Sequence, residues 1–235
     1  MFRIAAFAFA ALTTLAAIFI EQIPFFKKRY LSGKMLRSLG FLLTGICAWA
    51  ATGTSSYAAL MLSGLLLGAL GDFFLDYKEQ KYFLWGALFF GAGHILYILN
   101  FLTNFQEKIF VEPYTKQIVG ICIVMAVMSA IVMLLNKIHF PGKFKLIIPY
   151  SLVLLVSFII SFARGMILLV NGAVPIALCL IGASALFIAS DTALAISKFG
   201  TPPHEFFERM TKRLVNLAYF PAQALFALSI LFFNT

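Results

Sequence analysis

Long apolar runs, separated by short basic clusters, leave this chain few ways to fold. The first, "MFRIAAFAFAALTTLAAIFI", is followed closely by the basic stretch "KKRY", and comparable runs recur to the far end. About 20 such residues in helical form cross a hydrocarbon core of about 30 Å. The runs are continuous and lack the alternating polarity of a barrel strand. In lipid every backbone N–H and C=O must be satisfied within the protein, so continuous apolar runs become helices. Composition agrees. The 235 residues are 62% hydrophobic and 11% charged, where a soluble domain carries about a quarter charged residues. The expected fold class is all-α, a polytopic membrane helical bundle. The first run is long enough to span, so it is read as a retained transmembrane helix and not as a cleaved signal peptide.

Eight spans are expected, at 3–21, 35–51, 57–76, 82–102, 115–136, 145–164, 171–197 and 212–233. Connections are short, which predicts one compact eight-span domain over residues 1–235. Of the 18 Lys and Arg residues, all but Arg3, Lys108, Lys116 and Arg164 fall on the side holding the loops after spans 1, 3, 5 and 7. The positive-inside rule places those loops in the cytoplasm and both termini on the opposite side. A formal net charge of +9 is thereby read as topology, without a nucleic-acid partner. Cys47, Cys122 and Cys179 lie in separate apolar runs and read as small packing residues, with no metal-ligand spacing.

Two acids break the apolar pattern. "LLLGALGDFFLDY" carries Asp72 and "ALFIASDTALAISKF" carries Asp191. An ionisable residue inside a span costs about 2.5–3.5 kcal/mol on insertion scales and is a functional candidate by default. The plain alternative is an acid snorkelling or paired near the interface, with Lys78 and Lys198 as candidate partners. Both acids lie about one to two turns from the cytoplasmic end of an outside-to-inside span. At 1.5 Å per residue that places both ~6–10 Å from the helix end, at a depth suited to one shared cavity.

The flanks are small. Gly64, Gly68, Gly71 and Asp72 share one helical face, and Gly182, Ala185 and Ala189 form a similar stripe before Ser190 and Asp191. Such faces let helices approach closely. Spans 3 and 7 are equivalent if the chain is built from two parallel four-span halves. Further polar residues lie within spans: His94 and Tyr97 on span 4, Tyr150 near the cytoplasmic start of span 6, and Asn216, Tyr219 and Gln223 on span 8. Each reads either as a ligand to a head group or acid, or as interhelical hydrogen-bonding glue.

"GDFFL", "GAGHILYILNF", "IASDTALAISKF" and "NLAYFPAQALFALS", in this order and spacing, resemble the YhhN-type lysoplasmalogenase family. That family includes eight-span mammalian alkenylglycerophospholipid hydrolases and many bacterial members. The resemblance covers spans 3–4 and 7–8. It implies hydrolysis of the vinyl ether bond of a lysoplasmalogen to a fatty aldehyde and glycerophosphoethanolamine or glycerophosphocholine. It also implies Asp72 and Asp191 as catalytic residues, with His94, Tyr97, Ser190, Lys198, Tyr219 and Gln223 at the family's polar motif positions. Tyr150 joins the substrate-binding set by depth.

The chemistry suits two acids. Vinyl ether cleavage protonates the β-carbon, gives an oxocarbenium ion, and adds water. It needs a protonated acid and a carboxylate, much as glycoside hydrolysis does. Burial of a carboxyl group and a second carboxylate nearby both favour the protonated form. No cofactor or metal is expected. The expected partners are a lysophospholipid and the membrane, in a bacterial cytoplasmic membrane or a eukaryotic endoplasmic reticulum. The phosphate would sit near Lys198, Arg209, Lys212 and Arg213. The rival reading is a proton-coupled carrier of a lipid or small amphiphile, since acid pairs also serve proton relays. Pro175 and Pro221 are its partial candidates for helix breaks.

Overall fold

The computed structural model describes residues 1–19, 30–75, 80–105, 147–200 and 205–233, with scattered positions between 116 and 134. Seven helices follow in chain order: α1 (Phe2–Phe19), α2 (Tyr30–Thr52), α3 (Ser56–Leu75), α4 (Gln80–Thr103), α5 (Ile147–Val170), α6 (Val174–Phe199) and α7 (Glu205–Phe232). Each is long and apolar enough to cross a membrane, and the described residues hold seven such helices where eight spans are expected. The expected span at 115–136 falls mostly outside the described residues; Ile121, Ile123, Val127 and Leu134 within it are helical. The outer faces carry exposed Leu12, Leu66, Trp85, Leu99, Leu152 and Leu178, as lipid-facing surfaces do. The protein is an all-helical, multi-pass integral membrane bundle.

Neighbours in sequence pack as neighbours in space, and α7 closes the bundle against α1, α2, α3 and α6. It is the central helix: 72% of its apolar window is buried, against 22–44% in the others. Its buried face explains the position. Ala218, Ala222, Ala224 and Ala227 let neighbours approach, and Gln223 and Ser229 take part in hydrogen bonds between helices.

Glycines set the α3–α4 pair. A Cβ on Gly93 would meet the Gly64 carbonyl at 3.0 Å, and one on Gly86 would meet the Gly71 carbonyl at 3.2 Å. The glycines are seven residues apart on each antiparallel helix, so the two backbones touch at two levels. The α3 stripe has a second use. Gly64, Gly68 and Gly71 are also seats for the Tyr97 ring, the Gln223 amide and the Phe90 ring.

The α5–α6 corner is a Schellman turn. Gly172 stands at φ +82, Ala173 N–H donates to the Leu168 carbonyl at 2.9 Å, and Gly172 N–H to that of Leu169 at 3.1 Å. Pro175 follows in the first turn of α6, where its missing N–H costs nothing, so it is not a midplane break. Pro221 does lie inside α7.

Two expectations about faces change. The Gly182, Ala185, Ala189 stripe is only partly buried; α6 buries Leu180, Ala183, Ser184, Phe187 and Ser190. Phe187 is needed against α4 and α7, so the larger residues turn inward. Arg37 and Arg164, counted as loop-flank charges, are each 1% exposed. The Arg37 guanidinium lies 4.5 Å over the Phe220 ring, and that of Arg164 lies 4.6 Å over Phe105. Their stems run along apolar helix surface and their charge rests on aromatic faces, which offsets part of the burial cost.

Candidate active site

At the end of the bundle formed by the last turns of α3 and α6 and the first turns of α2, α4, α5 and α7, the helices part around a cavity of about 470 Å³. Asp72 and Asp191 both line it, with Tyr150, Ser190, Lys198 and Tyr219. Its apolar wall is Leu75, Phe90, Leu194 and Val215, and its basic lining is Lys34, Lys198, Arg209, Lys212 and Arg213. Lys198, Arg209, Lys212 and Arg213 are exposed, whereas Asp72 is 2% exposed. The cavity therefore grades from a basic rim to a buried acid.

Asp72 is held by three donors. Ser38 Oγ donates to Oδ2 at 2.7 Å, Tyr219 OH donates to the same oxygen at 2.9 Å, and Lys34 Nζ stands 3.5 Å from Oδ1. Tyr219 is the end of a chain. Tyr97 OH donates to Gln223 Oε1 at 3.0 Å, and Gln223 Nε2 donates to Tyr219 OH at 3.3 Å. All the donors point one way, toward Asp72, and such chains polarise one another. The Tyr219 ring is fixed by edge contacts with Phe41, Phe90 and Phe187 at centroid distances of 6.3, 5.7 and 5.5 Å. The hydroxyl has little freedom to leave the carboxylate.

Asp191 is held differently. It is partly buried, and Tyr150 OH donates to Oδ2 at 3.4 Å. Ser190 turns away and donates to the Val215 carbonyl at 3.2 Å, tying α6 to α7 beside the cavity. Tyr150 is seated against Gly91 of α4, whose added Cβ would lie 3.6 Å from the ring.

Of the residues picked out in the sequence, Tyr97 and Gln223 reach the site through hydrogen bonds and do not line the cavity. His94 stands apart. Its Nδ1 is 2.9 Å from Ser157 Oγ, and its ring meets Phe187 edge-on at 4.5 Å. It is 4% exposed and not among the cavity-lining residues. Lys34 and Ser38 were missed. Lys34 read as a topological charge, but among the described residues it is the cation paired with Asp72; Lys78, the expected candidate, lies outside the described residues. The available signal was the i, i+4 spacing of Lys34 and Ser38 at the start of an apolar run, which puts both on one face of α2.

A two-acid cavity with a basic rim, inside a multi-pass helical bundle, defines an integral membrane protein with a candidate polar site within its helices. The YhhN family model matches residues 33–230. The chain belongs to the YhhN family, and the match extends beyond the four motif-bearing spans into α2 and α5. Among curated proteins it is 27% identical over 199 residues to "Lysoplasmalogenase TMEM86A" of Bos taurus, covering 83% of this chain and 70% of that one. It is 40% identical over 67 residues to "Lysoplasmalogenase homolog" of Dictyostelium discoideum, a stretch that spans 28% of this chain and 21% of that protein. No solved structure matches.

Proposed function

We propose that this protein is a membrane hydrolase that cleaves the vinyl ether bond of lysoplasmalogens, with Asp72 and Asp191 as its catalytic pair. The observation that carries this reading is the cavity itself. Two acids far apart in the chain line one space, beneath a rim of four exposed cations. The rim is suited to a phosphodiester. The apolar wall of Leu75, Phe90, Leu194 and Val215 is suited to the first carbons of an alkenyl chain. The acids are then at the level of the vinyl ether between them. One carboxyl group supplies the proton and the other serves as base or stabilises the cation. The family membership and the relatives' names support the same chemistry. In this reading the cavity faces the cytoplasm and both termini face the other side of the membrane.

Purified protein in detergent should release fatty aldehyde from an alkenyl lysophospholipid. Asp72→Asn and Asp191→Asn should each lower turnover by about 10²–10⁴-fold, the usual worth of general acid–base groups. Both variants should still insert and elute as a single species. Aldehyde release at near-normal rates from both would remove the acids from the mechanism. A wild-type protein that binds the lipid and releases no aldehyde would favour the carrier.

A further inference from the structure

The two acids are not equivalent in their surroundings, and the difference assigns their roles. Resting on the hydrolase reading above, we infer that Asp191 alone gives and takes back the proton, while Asp72 stays a fixed carboxylate held by Lys34, Ser38 and Tyr219. Lys34 and Ser38 are positioning residues for that carboxylate.

Among the described residues, the polar partners of Asp72 all act as donors to it. Ser38 and Tyr219 converge on Oδ2 at 2.7 and 2.9 Å, and the Lys34 ammonium faces Oδ1 at 3.5 Å. Lys34 is 12% exposed, so the pair is shielded from solvent. Behind Tyr219 stand Gln223 and Tyr97, donating in the same sense. From α4 the neighbour at this level is the uncharged ring of Phe90, packed on Gly71. A proton taken up on Oδ2 would have to displace the Ser38 or Tyr219 hydroxyl, and one on Oδ1 would stand against the Lys34 ammonium. Asp191 faces the cavity with one hydroxyl donor among the described residues, Tyr150, at 3.4 Å. The other charged groups lining that cavity are Asp72 of α3, Lys198 of its own helix, Lys34 of α2, and Arg209, Lys212 and Arg213 of α7. A change of protonation at Asp191 disturbs a single long contact.

The reaction closes with one exchanging acid. The π pair of the vinyl ether takes the Asp191 proton at the carbon remote from oxygen, forming a C–H bond and leaving an oxocarbenium ion. Water adds through oxygen to the cationic carbon and returns a proton to the Asp191 carboxylate. The hemiacetal hydroxyl proton passes to the ether oxygen as the C–O bond breaks. Aldehyde and alcohol leave, one water is consumed, and Asp72 keeps its charge beside the transient cation throughout.

The test is the pH profile of kcat for aldehyde release. A group that must be ionised produces the acid limb, and a group that must carry a proton produces the alkaline limb. Removing a cation or donor from a carboxylate makes it hold its proton to higher pH. Lys34→Gln should therefore move the acid limb up by about one pH unit and leave the alkaline limb in place. Lys34→Arg should restore it. Tyr150→Phe should move the alkaline limb up and leave the acid limb. Ser38→Ala removes a second donor from Asp72, should move the same limb as Lys34→Gln, and serves where the lysine variant does not fold. An upward shift of the alkaline limb in Lys34→Gln or Ser38→Ala overturns the assignment, as does the absence of any shift in the acid limb. Wild-type protein that releases no aldehyde at any pH defeats the hydrolase reading beneath it, an outcome distinct from a crossed pair of limbs.

Discussion

The two ends of this bundle both bury polar groups, yet they are built on different terms. At the end away from the cavity, Tyr57 OH pairs with Ser229 Oγ at 2.7 Å, Asn100 Nδ2 donates to the Tyr57 carbonyl at 3.0 Å, and Arg164 Nη2 donates to the Phe101 carbonyl at 2.9 Å. The Tyr57 ring stacks on Phe233 at 4.1 Å, nearly parallel, and Phe105 meets both edge-on. Much of the bonding there ends on main-chain carbonyls, which cannot change protonation. At the cavity end the acceptors include two carboxylates, whose donors are side chains, and the space beside them is open. Burial of polar groups marks both ends equally. What separates a site from structural glue is an ionisable acceptor next to a cavity.

A matched pair of hydroxyl deletions would test that contrast most strongly. Tyr219→Phe removes the end donor of the relay at Asp72 and should lower kcat about tenfold or more, with thermal stability little changed. Tyr57→Phe removes the hydroxyl bonded to Ser229. It should lower stability by about 1 kcal/mol, the usual scale of a hydrogen bond between membrane helices, and leave kcat intact. Turnover assays and thermal melts of both purified variants decide it. Equal loss of turnover in the two would erase the distinction between the ends.

A smaller effect is expected at the rim. Lys212→Ala combined with Arg213→Ala should raise KM several-fold at low salt with kcat preserved, and added salt should shrink the difference because exposed charges are screened. A fall in kcat with unchanged KM would move these residues from binding to chemistry.

The sequence made the helices legible because lipid permits few alternatives. Described helix ends agree with the expected spans to within a few residues, except that α2 begins at Tyr30, α5 runs on to Val170 and α7 begins at Glu205. The start of α7 is polar and lies before its apolar run, whereas the expected end of α5 falls at Arg164 and the apolar residues 165–170 continue the helix. The depth of Asp72 and Asp191 followed from helix rise alone, and the structure sets both on one cavity. Pairing across helices was not legible. Lys34 looked like one more cytoplasmic charge because the positive-inside rule counts lysines without asking what they face. The burial of Arg37 and Arg164 was not legible for the same reason, since nothing local announces the Phe220 and Phe105 rings beneath them. The buried face of α6 was misjudged because small residues mark close approach only where no large residue is needed, and Phe187 is needed against Tyr219 and His94. His94, a candidate ligand in the sequence, does not line the cavity and bonds Ser157.

The most direct test of vinyl ether hydrolysis by proton transfer to carbon is product analysis in heavy water. Purified wild-type protein should convert an alkenyl lysophospholipid in D₂O to a fatty aldehyde carrying one deuterium on the carbon next to the carbonyl, with none bound to carbon in the glycerophospho-alcohol. Failure to form aldehyde, or aldehyde formed without that deuterium, would contradict the account.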